Sequence, residues 1–310
     1  MGALPLMLGI GVAFAGVPEL PSVRHVGVAH GLPSSTVNGI VEDRDGYVWL
    51  ATTDGLARHD GAEIMSWRHD PADPAALPGN VVTAVHVDPR NRVWVATEAR
   101  GLSVMDDRRN GFRHYRADSH PGMGSDEVWA ITSCGGALWF GTFGGGLHRL
   151  VPGPGPEGDE IERFGPVEGD ASSLPATTVL ALACDSRDRL WAGTTAGLAM
   201  WNGRAFDRVP LPGEVPAPMI YSISVEGDGV WVGSRTGLFR RSGGGAWSQP
   251  PWSEMFAAGN AVFSVVADGD AYWLASQRHL WRAEPGRVPF PVSLGADGPV
   301  LALQQILRQD

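Results

Sequence analysis

Runs of four to seven residues that alternate apolar and polar side chains follow one another through most of this chain, each closed by Gly, Asp or Asn. A period of two with frequent turn residues predicts short, half-buried β-strands. Thr36–Glu42, carrying Val37, Ile40 and Val41, is the first strand of one such unit. Asp43-Arg44-Asp45-Gly46 is a turn, since Gly accepts positive φ and Asp bonds nearby backbone N–H groups. Tyr47–Thr52 is a second strand, Leu56–His59 a third after Asp54-Gly55, and Glu63–Arg68 a fourth after Asp60-Gly61. Later segments repeat the first strand: Val82–Val87, Val179–Ala183, Ile220–Val225 and Val262–Val266.

The unit recurs around a fixed Trp. Trp49, Trp94, Trp139, Trp191, Trp231 and Trp273 are each followed three residues later by Thr or Ser, and in all but the last copy by Gly-Leu. Their spacing of 40 to 52 residues, with four short strands per period, predicts a β-propeller. A large aromatic at one fixed place fills the gap between stacked sheets, so these Trp residues are expected in the core. Ala51, replaced by Gly in several copies, leaves room for close packing.

The chain ends bear on the blade count. Val23–Val28 falls where later copies have a fourth strand, such as Phe112–Tyr115, and Pro299–Ile306 matches a first strand. The expectation is an all-β, seven-bladed propeller over residues 23–310, with six complete blades and an incomplete seventh. An unpaired strand edge at that blade predicts marginal stability for the 310 residues alone, and a parent protein of greater length. Residues 3–15 are apolar, too short to span a bilayer, and end in Ala13-Phe14-Ala15, which fits a signal-peptide cleavage site over 1–15. The first basic residue is Arg24, so the basic start of such a peptide is missing, and a buried N-terminal strand is the alternative.

A formal net charge of −10 without a Lys/Arg run speaks against nucleic-acid partners and against contact of this segment with anionic membranes. Cys134 and Cys184 lie near the ends of first strands in adjacent copies. A disulfide between blades is open, but two separate buried thiols are expected, because the matched positions differ by one residue and face different ways. Residues 152–158 and Ser242–Ala246 read as exposed loops.

No metal or cofactor is expected: the His residues are scattered, Cys-x-x-Cys is absent, and Asp43–Gly46 lacks the later acidic ligands of a calcium loop. There is no Gly-x-Ser-x-Gly elbow. Asp54, Glu98 and Asp126 lie at loop tips, but nothing in the sequence brings them together as a glycosidase pair, and no catalytic residue is assigned. Binding is the better reading, since propellers gather variable blade ends around a funnel. One variable class follows the Trp-x-x-Thr motif: Asp54, Glu98, Arg100, Phe143, Thr195, Arg235, Gln277 and Arg278. The other sits one residue into each first strand: Asn38, Thr83, Trp129, Leu180, Tyr221, Phe263 and Leu301. The candidate ligand set is Asn38, Asp54, Glu98, Arg100, Trp129, Phe143, Tyr221, Arg235, Phe263 and Arg278, with Trp129, Tyr221 and Phe263 as stacking faces. Padding between blades is the competing role for those three aromatics.

The stretch Gly31–Gly61, with its Leu-Pro entry repeated at Leu77-Pro78 and Leu174-Pro175, resembles the two-component regulator propeller repeat. The Gly-His and Trp-Asp pairs of WD-repeat propellers are absent. The resemblance implies a periplasmic sensor region that binds a small molecule or oligosaccharide. In that family two seven-bladed propellers precede a β-sandwich, a membrane helix and an output domain, a histidine kinase or a diguanylate cyclase. A dimeric, inner-membrane-anchored receptor follows from the same resemblance, with any enzymatic activity outside these residues. A free-standing secreted binding propeller and a polysaccharide-active enzyme are the alternatives.

Overall fold

The structure is a computed structural model, and it describes residues 26–151, 153, 158–213, 217–257, 259–276 and 279–292. Within them, six four-stranded antiparallel sheets follow one another in chain order. Blade I is β1 (Val37–Glu42), β2 (Val48–Thr52), β3 (Gly55–His59) and β4 (Ile64–Trp67). Blade II is β5 (Val82–Val87), β6 (Val93–Thr97), β7 (Gly101–Met105) and β8 (Phe112–Tyr115). Blade III is β9 (Val128–Cys134), β10 (Ala137–Thr142), β11 (Gly146–Val151) and β12 (Glu160–Phe164). Blade IV is β13 (Val179–Cys184), β14 (Leu190–Thr194), β15 (Gly197–Trp201) and β16 (Phe206–Val209). Blade V is β17 (Ile220–Glu226), β18 (Gly229–Ser234), β19 (Gly237–Arg241) and β20 (Trp247–Ser248). Blade VI is β21 (Val262–Asp268), β22 (Ala271–Ser276), β23 (Leu280–Ala283) and β24 (Phe290–Val292). The molecule is an all-β propeller. Of the expected seventh blade, Pro299–Ile306 and residues 23–25 lie outside the described residues. Val28–His30 is one turn of 3-10 helix rather than the end of a strand, and Gly27 and Gly31 bracket it where extended pairing would have to continue.

The repeated residues explain the blade. The Thr or Ser of each copy is fully buried. In five copies its hydroxyl donates to the carbonyl of the Gly that opens the third strand, as Thr52 does to Gly55 at 2.7 Å and Ser234 to Gly237 at 2.9 Å. That Gly has no substitute: at Gly101, φ is +81° and an added Cβ would stand 2.2 Å from the Tyr115 carbonyl oxygen. The small residue in the second strand makes room for the next blade. At Gly233 a Cβ would meet the Val262 carbonyl oxygen at 2.1 Å.

Five apolar clusters fill the five successive seams. Each packs the Trp of one blade and the Leu of its Gly-Leu onto the second strand of the next. The Trp49/Leu56 side of blade I meets Val93 and Val95, and Trp191 and Leu198 of blade IV meet Val230 and Val232. Burial of such side chains is the main stabilising term, about 1.5–3 kcal/mol for each fully buried one. The first strands touch their neighbours in the series β1, β5, β9, β13, β17 and β21, so they lie nearest the axis.

Cys134 and Cys184 form a disulfide, with Cα atoms 5.3 Å apart. This corrects the expectation of two separate thiols. Counting from the first paired residue of each inner strand, Cys134 stands one position further along than Cys184. The same one-position stagger recurs between other neighbouring blades: Asn38 donates to the Val82 carbonyl and Thr83 to the Val128 carbonyl, and the Val265 amide donates to Ser224. The offset that spoke against pairing is how adjacent blades meet.

Candidate ligand-binding face

Antiparallel order puts the turns between second and third strands, and the loops leading into each inner strand, at one end of the propeller. Asp54, Glu98, Arg100, Phe143 and Arg235 lie in those turns, Asn38, Trp129, Tyr221 and Phe263 stand one residue into their inner strands at the same end, and Arg278 lies outside the described residues. The second variable class has a shared structural cause. In each of the six inner strands the pairing skips one residue. The skipped residues are Asn38, Thr83, Trp129, Leu180, Tyr221 and Phe263. A β-bulge takes a side chain out of the alternation and re-aims it, and here it does so at the same register in every blade.

The candidates divide by what they touch. Asn38 Nδ2 donates to the Val82 carbonyl at 2.7 Å, so its amide ties blade I to blade II. Asp54 is held by Arg68 of its own blade at 2.9 Å, both about half exposed. Glu98 and Arg100 flank Ala99, whose φ of +53° makes the sharp turn of blade II, and both are exposed. Arg235 is exposed in the turn of blade V. Trp129 and Phe143 are 42% and 54% exposed. Trp129 stands in β9 and Phe143 in the turn after β10, and both bond Glu127, which accepts from Trp129 Nε1 at 3.2 Å and, through its carbonyl, from the Phe143 amide at 2.9 Å. Tyr221 and Phe263 are in ring contact across the blade V–VI seam, centroids 5.9 Å apart. The structure thus joins Tyr221 with Phe263 and leaves Trp129 and Phe143 as a solvent-facing pair. Arg68 and Glu127 were not legible as site residues. The signal for Arg68 is its repetition as Arg116 at the same place after the fourth strand of blade II.

Two of the three carboxylates of an enzyme reading are held by neighbours of their own. Asp54 is paired with Arg68, and Asp126 Oδ1 accepts from the Ala117 amide at 2.8 Å, closing a loop. Asp43 is a buried acceptor for its turn and for two side chains. Its carboxylate takes the Asp45 and Tyr47 amides, Trp49 Nε1 and Arg109. At the opposite end of the propeller, a cleft of about 290 Å³ is bounded by Arg90, Arg92 and Arg109 beside Asp45 and Asp107. Two of these guanidinium groups are already spent on Asp88 and on Asp43 and Asp45.

Two histidines lie on or beside the inner strands, His148 fully buried and His86 partly buried. Burial pushes His86 down to about 4, with Asp88 opposing, while its Nε2 bonds Ser133 Oγ at 2.8 Å. His148 is also pushed down to about 4, first by burial and then by Arg163, and its Nε2 accepts from the Gly124 amide at 2.9 Å. Both are neutral at pH 7 and serve packing.

The fold is that of a β-propeller. Residues 31–54, 76–99 and 173–196, which span the first half of blades I, II and IV, match the two component regulator propeller family model. The repeat resemblance therefore holds in three blades. Among solved structures, the chain is similar to the extracellular domain of a hybrid two component system of B. thetaiotaomicron, at 20% identity and TM-score 0.70, covering 92% of this chain and 38% of that one. A second such extracellular domain from the same organism matches at 16% identity and TM-score 0.72, covering 93% and 40%. The chain spans about two fifths of those two proteins' length. A streptogramin B lyase matches at 17% identity and TM-score 0.62, covering 86% of each chain. At these identities the likeness is one of fold. No curated protein sequence matches. Among the described residues, no helix is long and apolar enough to cross a membrane.

Proposed function

We propose that this chain is a seven-bladed ligand-sensing propeller from the periplasmic part of a membrane-anchored receptor of two-component type. The observation that carries the reading is the match of three blades to the two component regulator propeller model. The likeness of fold to extracellular domains of hybrid two component systems supports it. The ligand is a small molecule or an oligosaccharide, met by Trp129 and Phe143 with Tyr221 and Phe263 as stacking faces. Glu98, Arg100 and Arg235 are the exposed polar groups at the same end. Binding shifts a dimer of the full receptor between two arrangements, and the kinase or cyclase output lies beyond these residues. The test has two arms. The coding DNA is read past codon 310: a frame that runs on into a membrane helix and an output domain supports the receptor, and an immediate stop sinks it. The protein is also titrated with oligosaccharides while its melting is followed. Trp129→Ala is expected to weaken any binding about tenfold, a loss of about 1.4 kcal/mol. Binding that Trp129→Ala leaves unchanged removes this face from the reading.

One observation favours a second reading. The lyase likeness covers 86% of both chains, so a single propeller of this size occurs as a whole enzyme. A free-standing secreted propeller is then the alternative, as a binding module or a polysaccharide-active enzyme, with turnover of a polysaccharide as the test of the latter.

A further inference from the structure

At the end of the propeller away from the candidate ligand face, the seam between blades III and IV brings two sulfurs and a carboxylate together. Cys134 closes β9, Cys184 closes β13, and Asp188 lies in the turn between β13 and β14. Cys134 Sγ, Cys184 Sγ and an Asp188 carboxylate oxygen all lie within 4.8 Å of one another. Among the described residues this is the one such meeting of three His, Cys, Asp or Glu side chains.

The turn explains how the carboxylate comes to be there. Asp188 has a φ of +56°, and the matching residues of blades I and II are Gly46 at +83° and Asn91 at +63°. A short polar side chain tolerates this left-handed backbone. Asn91 turns back onto the preceding blade, where it accepts from the Arg44 amide and donates to the Asp45 carboxylate, both at 3.0 Å. Asp188 reaches back across its own seam in the same way, but what it meets is sulfur. Among the described residues its carboxylate takes no hydrogen bond or ion pair. The other carboxylate of this turn, Asp185, is already committed to Trp191, Arg189 and two amides.

We propose that the seam, when reduced, binds one zinc ion through the Cys134 and Cys184 thiolates and the Asp188 carboxylate, with water as the fourth ligand. Two thiolates and a carboxylate suit a borderline cation such as zinc, and not calcium or magnesium, which seek oxygen alone. A tetrahedral ion with Zn–S bonds of about 2.3 Å sets its two sulfurs about 3.8 Å apart. With the Cα atoms 5.3 Å apart, rotation of the side chains is enough to reach that. Asp188 is exposed and Cys184 partly so, which gives the ion and its water a way in. The oxidised seam is closed to metal, because the thiolate is the ligand. A dithiol reductant opens it: the reductant's two sulfurs join as a disulfide, Cys134 and Cys184 each gain a proton, and zinc displaces both protons. Blades III and IV are thus clamped by a covalent bond when oxidised and by the ion when reduced. This does not depend on the ligand-sensing reading, whose residues lie at the other end.

The test uses the full 310-residue protein, reduced with a phosphine that becomes its oxide, and titrates it with cobalt(II) and zinc. The expected result is one ion per chain, thiolate-to-cobalt charge-transfer absorption that zinc abolishes, and a melting temperature that zinc raises. The oxidised protein should bind neither ion. Asp188→Asn should weaken zinc at least about tenfold, the least that a lost outer-shell partner costs a metal site, and leave the melting of the oxidised protein unchanged. Should reduction unfold the chain, zinc is expected to restore the folded Trp emission, and its failure to do so sinks the proposal. Absence of charge transfer in a reduced, folded protein overturns it as well. Binding of equal strength in the Cys134→Ser/Cys184→Ser protein would put the ion elsewhere, and equal binding in Asp188→Asn would leave the carboxylate no part; either result overturns the site.

Discussion

Blades I, II and IV differ from blades III, V and VI in their Leu-Pro entry and at the seventh residue of the inner strand's register. In the first group that residue is Asp43, Asp88 or Asp185, all at most 7% exposed. One oxygen accepts the amides two and four residues on, the other accepts the Nε1 of the blade's own Trp, and an Arg completes each: Arg109, Arg92 and Arg189. In the second group a two-residue turn opened by a Gly of positive φ (Gly135, Gly227 or Gly269) replaces the longer Asp turn. There the position is Cys134, Glu226 or Asp268. Trp139 falls back on the Cys134 carbonyl, and Trp273 on the carboxylate of a 44%-exposed Asp268. The family model matches the first group and misses the second, although all six sheets have the same strand order. The matched segments hold the Leu-Pro entry and the Asp turn with its Trp, a local hydrogen-bonded device. All six blades form with the Trp, the small residue and the buried hydroxyl, and blade VI does so without a Gly before Leu280.

The sharpest way to break that comparison is to remove the carboxylate from one member of each group. Asp88→Ala strips Trp94, two backbone amides and Arg92 of a buried acceptor, and breaking such a pair from one side costs about 3–5 kcal/mol. Asp268→Ala removes a half-exposed group and should cost below about 1 kcal/mol. Urea unfolding of both variants measures this, and equal losses would end the distinction between the groups.

Cys134 shows how the second group compensates. It stands where blade IV has Asp185, gives its carbonyl to Trp139 and its sulfur to the neighbouring blade. The bridge closes a 50-residue separation, so the chain-entropy relation gives about 4 kcal/mol, with 2–4 typical of measurement. The Cys134→Ser/Cys184→Ser protein should lose that much in urea. No loss would mean that the seam between blades III and IV is held by its apolar cluster alone.

Much of this was legible in the residues. The repeat, the four-strand order, the burial of five of the six Trp residues and the need for a small residue at Ala51 follow from spacing and side-chain size. The rest depends on relations between blades. The one-residue stagger that joins Cys134 to Cys184 is invisible when repeats are aligned on one another. The bulge that singles out Asn38, Trp129, Tyr221 and Phe263 was visible as variability, without its cause. Arg68 was hidden as the last residue of an expected strand, though it is what occupies Asp54.

Acid separates the groups more finely. His86 of blade II and His148 of blade III are both held neutral down to about pH 4, whereas in the unfolded chain they protonate near 6.5. The unfolded state therefore binds more protons between those values, and stability falls as pH drops from 6.5 to 4, by on the order of 2–3 kcal/mol for each His. Asp88 and Asp185 are pushed up by burial but pulled further down by the Trp and Arg hydrogen bonds, so their contribution is lost only below the ordinary carboxylate range. The dependence should come in two steps, His first. His148→Gln should flatten the first step by about half and leave the second, which belongs to the Asp turns, in place.

The smallest effect lies at the binding end. The Asp54–Arg68 pair is half exposed on both sides, so Arg68→Ala should change stability by less than about 1 kcal/mol. Its consequence is for recognition. Arg68 also donates to the Asp54 carbonyl, holding the turn and its carboxylate away from any ligand. If blade I takes part in binding, freeing Asp54 should change the affinity for a titrated oligosaccharide while the urea midpoint stays fixed. If binding rests on the aromatic pair of blade III alone, Arg68→Ala should leave affinity untouched and Trp129→Ala should not. Affinity lost with both variants would place the ligand across blades of both groups.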